Sequence, residues 1–401
     1  MKRSVFTNCH IFIGDGQIIN NATVEVTGET ISRVTTDHGS IPKDAESIDL
    51  QGGWLLPGFI DTHVHLCMDG SADMGSVHAG TRELTRLASK FAKQTLLCGV
   101  TTVRDLGGVG TIVQTVRDNV NSGLIPGPRI LTAGRMICIT GGHGHTLGAR
   151  QADGPDEISK AVRKEIKAGA DVIKLMSTGG VLTSGTRPGE AQMSLEELKA
   201  GVSEANRLGK RTAAHAQGSE GILNALKAGI DTIEHGYNLN KECIDLMQAN
   251  GTILVPTCAP SHHMTTKGVA AGLAQEAFDK ATRCMEAKQE SFRLALDTNI
   301  LMAAGSDAGT PFNYHGNNLI EETLMVQRGM TTIQALMSGT SIAARALGLD
   351  DSIGYIKPGY IADLVAVDGD PSNDIEVLCD QNAIRMVMRN GVIHKLLPST
   401  T

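Results

Sequence analysis

Two histidines at the end of an apolar run are the first sign of chemistry in this chain. His63 and His65 follow the run 58–62 and stand two positions apart. In a β-strand successive side chains alternate between the two faces, so this spacing points both imidazoles the same way. Two imidazoles side by side at the end of a buried strand make half of a metal site. Taken alone, the pair is equally consistent with two hydrogen-bonded histidines that hold no metal.

Four more residues of ligand type occur in or at the ends of other apolar segments. The segments are 171–176, 211–217, 232–237 and 301–307, and the residues they carry are Lys174, His215, His235 and Asp307. Imidazole and carboxylate are ligands that Zn²⁺ accepts, and Co²⁺ or Mn²⁺ can take its place. The set therefore predicts a metal site larger than the first pair alone.

Lys174 is the decisive member because it interrupts an otherwise apolar segment. A buried lysine is costly unless its charge is removed or paired. One interpretation is structural, with the lysine paired to an acid or reaching the rim of the fold. Beside four histidines and an aspartate, we favour another. A desolvated neutral amine can react with CO₂ to form a carbamate, an anionic oxygen ligand that two metals can share.

The elements that must position these residues alternate along the middle of the chain. Candidate strands cover 56–66, 100–106, 129–136, 171–176, 211–217, 232–237, 252–257 and 301–307, and helical stretches include 156–168, 194–208, 219–228 and 275–297. About eight strand–helix units over about 290 residues predict an α/β fold, a (β/α)₈ TIM barrel. The carboxyl ends of the strands meet at one mouth in such a barrel, so we expect the six residues to lie together there.

Both ends of the chain are rich in short strands and turns. Strand patterns lie at 9–13, 22–26 and 31–34, and the segment 385–393 predicts a hairpin with an Asn390-Gly391 turn. We expect the two ends to pair into a small β-sandwich domain. This gives residues 1–57 with 354–401 as the sandwich domain and 58–353 as the TIM-barrel domain that carries the candidate metal ligands.

Composition narrows the class of partner. The formal net charge is -7 with no basic run, which argues against a nucleic-acid partner. No run approaches the length of a membrane span, and the N-terminus does not resemble a signal peptide. The eight cysteines are scattered without a C-x-x-C pair, which favours reduced thiols over disulfides. We therefore expect a cytoplasmic protein that binds a small molecule.

These residues and their order resemble the metal-dependent amidohydrolase superfamily. The matching opening is the segment 58–65, and Lys174, His215, His235 and Asp307 stand at the strand positions that the family uses. The segment 354–363 is similar to the family's closing sandwich strand, and the resemblance covers essentially the whole chain. It implies a hydrolase with two divalent metals, Zn²⁺ being the expected ion, and a CO₂-derived carbamate on Lys174.

The resemblance also implies a role for each residue. His63 and His65 hold the more buried metal together with Asp307. His215 and His235 hold the outer metal, and the Lys174 carbamate bridges the two. A metal-bridging hydroxide attacks the amide carbonyl, and Asp307 is the catalytic residue that receives the proton and passes it to the leaving amine. The assembly implied is a homo-oligomer such as an octamer.

Within the superfamily the chain looks most like the prolidase and Xaa-dipeptidase branch, which is carboxypeptidase-like and includes ochratoxin hydrolases. The segments 139–145, 174–181 and 234–237 carry this resemblance. It implies cleavage of the amide bond to a C-terminal amino acid in dipeptides, N-acyl amino acids or ochratoxin-type amides. A terminal carboxylate requires positive charge or hydrogen-bond donors. The substrate-binding candidates, each with a purely structural alternative, are His143, His145, Tyr237 and Arg187.

Two other functions fit parts of the pattern. A mononuclear cyclic-amide hydrolase or deaminase, such as an imidazolonepropionase, shares the histidines and Asp307. Those branches lack a bridging lysine, so Lys174 argues against this function. A barrel that serves as a scaffold or binding protein without catalysis is the third hypothesis. Six ligand-type residues at strand ends argue against it.

Overall fold

The computed structural model describes residues 2–36 and 44–398, and strands and helices alternate through the middle of this part of the chain. The β-strands are β1 (Arg3–Phe12), β2 (Ile18–Thr27), β3 (Thr30–Thr35), β4 (Glu46–Asp49), β5 (Trp54–Pro57), β6 (Phe59–Val64), β7 (Val100–Asp105), β8 (Arg129–Thr132), β9 (Ile137–Cys138), β10 (Arg150–Gln151), β11 (Val172–Met176), β12 (Arg211–Gln217), β13 (Thr232–Tyr237), β14 (Ile253–Val255), β15 (Leu364–Val367), β16 (Ile384–Arg389) and β17 (Val392–Leu396). The α-helices are α1 (Thr81–Leu97), α2 (Ile112–Asn121), α3 (Gly154–Lys167), α4 (Leu195–Arg207), α5 (Ser219–Ala228), α6 (Lys241–Asn250), α7 (Cys258–Lys267), α8 (Gln275–Arg283), α9 (Met285–Asp297), α10 (Ile320–Gln327), α11 (Thr332–Ser338) and α12 (Ser341–Leu347). Every helix within the described residues falls short of the length and apolarity that a bilayer crossing requires.

Strands from both chain ends form one mostly antiparallel sheet. Its order is β17-β16-β15-β5-β1-β2-β3, with β4 also paired to β1. The antiparallel pair of β15 with β5 joins the C-terminal part to the N-terminal part. At the predicted hairpin between β16 and β17, Asn390 and Gly391 have φ angles of 49° and 70°, the left-handed values that a type I′ turn requires. The prediction that the two ends pair is confirmed, while the domain boundaries remain a prediction.

The parallel strands of the middle segment position the candidate site. One sheet has the order β6-β7-β8, and a second has the order β10-β9-β11-β12-β13-β14. The predicted eighth strand, 301–307, is extended by Ala308 in the structure. This segment is held by single bridges from Met302 to Leu254 on one side and from Ala308 to Val64 on the other. The main apolar cluster lies between these strands and the surrounding helices. This is an α/β fold of the TIM-barrel type.

The predicted strand 56–66 is divided at Gly58. The part before it, β5, belongs to the end sheet, and the part after it, β6, belongs to the barrel strands. The Gly58 N–H donates to the Asp363 carbonyl at 2.7 Å. A Cβ at position 58 would lie 2.2 Å from the Thr101 hydroxyl oxygen, so the chain can pass between the two sheets here only as glycine.

The predicted helix 275–297 is also divided, at Cys284, into α8 and α9. The buried Ala281 of α8 packs in a small cluster with Val181 and Met264. By contrast, Phe292 and Ala295 of α9 pack into the main core. Because the two halves pack against different parts of the molecule, the helix breaks without a proline or glycine.

Candidate metal centre and pocket

The first pair of histidines meets a carboxylate. The rings of His63 and His65 have centroids 5.3 Å apart. The Oδ1 atom of Asp307 lies 3.6 Å from His63 Nε2 and 3.2 Å from His65 Nε2. One ligand atom from each residue lies within 4.8 Å of the others, and all three residues are buried. This group could hold a divalent cation.

Hydrogen bonds fix how these two imidazoles face the group. His63 Nδ1 lies 2.8 Å from Oε2 of Glu234, and His65 Nδ1 lies 2.9 Å from the carbonyl oxygen of Gly107. Because both partners are acceptors, Nδ1 carries a proton in each ring and Nε2 faces Asp307. Nε2 is therefore the atom that each ring could offer to a cation.

A second pair of histidines lies on the neighbouring strands β12 and β13. The ring centroids of His215 and His235 are 4.5 Å apart, and His235 lies 5.3 Å from His63. His235 Nδ1 contacts the Thr257 hydroxyl at 2.7 Å. Burial holds the pKa of both imidazoles well below its usual value. They are neutral at pH 7, the form that binds metals.

Lys174 lies in the middle of β11 rather than at its end. Its side chain is 2% exposed, and within the described residues Nζ has no hydrogen-bond partner. Burial lowers the pKa of this amine to about 8. The neutral amine is the form that reacts with CO₂, so the environment of Lys174 fits a carbamate. Together with neutral imidazoles and a buried carboxylate, it gives a donor set that suits divalent cations.

Asp307 and His235 share an unusual backbone conformation, with φ angles of 55° and 73° in the left-handed region. Such residues cluster at functional sites, where the surrounding structure holds them in place. The Asp307 N–H donates to the His63 carbonyl at 2.7 Å. The neighbouring Ser306 donates to the Asp61 carboxylate through both its N–H at 2.9 Å and its hydroxyl at 2.5 Å. Asp61 thereby ties the segment 301–308 to β6.

Arg104 and Glu234 support the site, although neither was predicted from the sequence. Arg104 is fully buried, and its guanidinium donates to the Thr62 carbonyl at 2.7 Å and to Glu234 at 2.8 Å. Burial would raise the pKa of Glu234, but the charges of Arg104 and Lys174 outweigh it and lower the pKa to about 2. The signal was available, since Arg104 stands in an apolar strand segment just as Lys174 does.

Replacing Arg104 with methionine should lower the free energy of unfolding by about 3–5 kcal/mol, because it leaves Glu234 as an unpaired buried charge. Urea denaturation measures this difference. The control is Arg86→Met, which removes an exposed ion pair with Glu83 on α1 and should change stability little. Equal, small changes in both variants would contradict a supporting role for Arg104.

All six predicted ligands line one pocket of about 630 Å³, which includes the space open to solvent. His143 and Tyr237 line it as well. The His143 ring lies 4.4 Å from that of His215, and its Nδ1 contacts the Thr183 hydroxyl at 2.8 Å. Most of the remaining wall is apolar and comprises Met68, Met136, Leu147, Met176, Val181, Leu182, Pro260 and Met264.

The other two substrate-binding candidates lie outside the residues that line this pocket. His145 Nδ1 is turned to the carbonyl oxygen of Gly142 at 2.9 Å. Arg187 lines a separate surface cavity with Lys280 and Arg283. The structure therefore brings His143 and Tyr237 to the candidate site and leaves His145 and Arg187 away from it.

Fold and site together define a class of enzyme, and comparison with known proteins identifies it. The model of the amidohydrolase family matches residues 54–393, so the chain belongs to the amidohydrolase family. It is a hydrolase that acts on amide-type C–N bonds.

Three similar proteins illustrate the relationship. A Xaa-Pro dipeptidase with bound methionine in its active site is 33% identical, with a TM-score of 0.92 over 98% of this chain and 100% of that one. A prolidase complexed with N-methylphosphonate-L-proline is 29% identical, with a TM-score of 0.92 over 99% of this chain and 100% of that one. Ochratoxinase from Aspergillus niger is 28% identical over 95% of this chain and 84% of its own length.

Proposed function

We propose that the protein is a binuclear metal-dependent hydrolase that releases a C-terminal amino acid from dipeptides and N-acyl amino acids. The observation that carries this proposal is the pocket that all six ligand-type residues line. Among them is Lys174, whose Nζ has no hydrogen-bond partner within the described residues. His63, His65 and Asp307 would hold one cation. His215 and His235 would hold the other, and a carbamate on Lys174 would serve both.

The chain's own residues move the proton. When bound, two divalent cations would lower the pKa of a water in the site and polarise the amide carbonyl. Burial would raise the pKa of Asp307, but His63, His65 and Lys174 outweigh it and lower that pKa. Asp307 is therefore ionised at neutral pH and acts as the general base. It then returns the proton to the leaving amine as general acid.

The substrate class follows from the walls of the pocket. His143 and Tyr237 offer hydrogen-bond donors for a terminal carboxylate. The apolar wall suits a large apolar side chain, and Asp307 supplies the one carboxylate among the described residues that line the pocket. The names of the similar proteins, Xaa-Pro dipeptidase, prolidase and ochratoxinase, support an amide of this kind.

A hydrolysis panel with metal content measured on the same sample tests this function. We expect Xaa-Phe dipeptides, N-acyl-phenylalanine and ochratoxin to be cleaved faster than Xaa-Arg dipeptides, because an arginine side chain finds no acidic partner on the apolar wall. Enzyme treated with a chelator is the control and should be inactive. Activity on a cyclic amide such as imidazolonepropionate, with none on the panel, would contradict the proposal.

We also infer that the parallel strands close into a barrel. The Asp171 N–H donates to the Thr132 carbonyl at 2.7 Å, which joins β8 to the start of β11. The segment 301–308 bridges β14 and β6. Closure would bring all strand ends to one mouth, as the shared pocket requires.

The working state that we propose is a homo-oligomer, such as an octamer, in the cytoplasm. The cysteines within the described residues are all free thiols, which suits a reducing compartment. Light scattering on the purified protein measures the assembly directly.

A further inference from the structure

Lys288 lies behind one wall of the pocket. This residue of α9 is 3% exposed. Its ammonium donates to the Thr257 carbonyl at 2.5 Å, to the Ser261 hydroxyl at 2.9 Å and to the Tyr237 hydroxyl at 3.4 Å. Nζ also lies 5.0 Å from the centre of the Tyr237 ring. Tyr237 lines the pocket and Lys288 does not, so Lys288 contacts the pocket wall from behind.

The charge of Lys288 lacks a direct counter-ion within the described residues. Lys280, on the neighbouring helix α8, is equally buried but pairs with Glu276 at 2.7 Å. The acid that interacts electrostatically with Lys288 is Glu321, whose carboxylate already accepts hydrogen bonds from the N–H groups of Cys258 and Ala259. A buried ammonium without an ion-pair partner is costly, so stability alone does not account for a lysine here.

Tyr237 connects this charge to the pocket. An ammonium can only donate, so the Tyr237 oxygen accepts from Lys288. The Tyr237 hydroxyl also lies 3.4 Å from Ser261 Oγ, where either oxygen can be the donor. When Ser261 donates in that contact, the Tyr237 proton is available to a ligand. Arginine is absent from the described residues that line the pocket, and the lysine among them is Lys174, the candidate metal ligand. Lys288 is thus a lysine outside the pocket lining whose charge reaches Tyr237.

We propose that Lys288 is a positioning residue that acts through the Tyr237 hydroxyl and makes this wall selective for the terminal carboxylate of the substrate, an inference that rests on the proposed function. The positive charge polarises the phenol and stabilises an anion that accepts its proton. A neutral carboxamide at the same place gains less from that charge. Lys288 thereby explains how a mostly apolar pocket recognises a charged group.

A different role for Lys288 would run through Thr257. This residue has a φ angle of 46°, and its hydroxyl contacts His235 Nδ1 at 2.7 Å. If Lys288 served only to hold Thr257 in that conformation, its loss would disturb His235. The kcat/KM values for charged and neutral substrates would then fall by the same factor.

The test compares N-acetyl-L-phenylalanine with N-acetyl-L-phenylalaninamide, which differ at the terminal group alone. In Lys288→Met the ratio of kcat/KM for acid over amide should fall about tenfold or more, the size of a charge-assisted hydrogen bond. The KM for the acid should rise, while kcat for the acid and both constants for the amide should change little. Lys288→Gln keeps a donor for Thr257 and Ser261 without the charge, and should show the same loss even if the methionine variant does not fold.

Two further variants complete the design. Tyr237→Phe should lower the ratio as Lys288→Gln does, and the double variant should lose no more than either single one, because both act through one contact. Ser261→Ala removes a neutral contact of both Lys288 and Tyr237 while the positive charge stays, and should lower the ratio less than Lys288→Gln does. An unchanged ratio in Lys288→Gln, or an equal loss of kcat on both substrates, would overturn the inference. Hydrolysis of neither substrate by the metal-loaded wild type would instead overturn the proposed function.

Discussion

Replacing Lys174 with alanine should remove bound metal and lower kcat/KM by at least about 10³-fold, equivalent to about 4 kcal/mol of transition-state stabilisation. The physical reason is the loss of the ligand that both cations would share. Lys174 is buried beside the candidate histidines, and its Nζ has no hydrogen-bond partner within the part of the chain that the structure describes. Metal analysis and hydrolysis of an N-acyl amino acid, measured on one sample, give both readouts.

Short carboxylates provide the matched control for this variant. Alanine leaves a space beside the site that acetate or propionate can enter, so these anions should restore part of the activity of Lys174→Ala. Lys174→Arg fills the same space and cannot form a carbamate, so it should remain inactive with or without the additive. Full activity and full metal content in Lys174→Ala would refute the carbamate.

Asp307→Asn should lower kcat by about 10²–10⁴-fold, the range expected when a general acid–base group is lost. Asparagine keeps the shape of the side chain and one carbonyl oxygen near His63 and His65, but it cannot accept the proton. Metal content should fall less than in Lys174→Ala. Steady-state kinetics with metal analysis separates these two effects.

The matched control is Asp69→Asn. It also removes one carboxylate, but on the loop that follows β6. Asp69 accepts hydrogen bonds from the N–H and the hydroxyl of Ser71 and does not line the pocket. Its replacement should leave kcat within a few-fold of the wild type. If Asp307→Asn retained wild-type kcat, Asp307 would not be the proton-transfer group.

The positions of the six candidate ligands were predictable from sequence because each depends on local rules. Period-2 alternation places His63 beside His65. A lysine in an apolar strand is conspicuous because burying its charge costs free energy. The residues that orient them were not. His63 is held by Glu234 and His235 by Thr257, while Lys288 reaches Tyr237 from helix α9. All three contacts join residues far apart in the chain. No local pattern encodes which distant acceptor a ring nitrogen will meet.

The same division holds for the fold. The predicted helical stretch 194–208 begins with a capping box, in which the hydroxyl of Ser194 accepts the Glu197 N–H at 3.2 Å and the Glu197 carboxylate accepts the Ser194 N–H at 2.8 Å. The division of 56–66 at Gly58 and of 275–297 at Cys284 was missed. Both breaks arise where one continuous apolar pattern is shared between two packing partners, and a pattern does not state against which partner each half will pack.

Metal stoichiometry of the active wild-type enzyme tests the central claim most directly. The purified protein should contain close to two divalent metal ions per chain, and its rate of hydrolysis of an N-acyl amino acid should rise with the fraction of chains that hold both. One metal per chain at full activity would contradict the binuclear site, and with it the role given to Lys174.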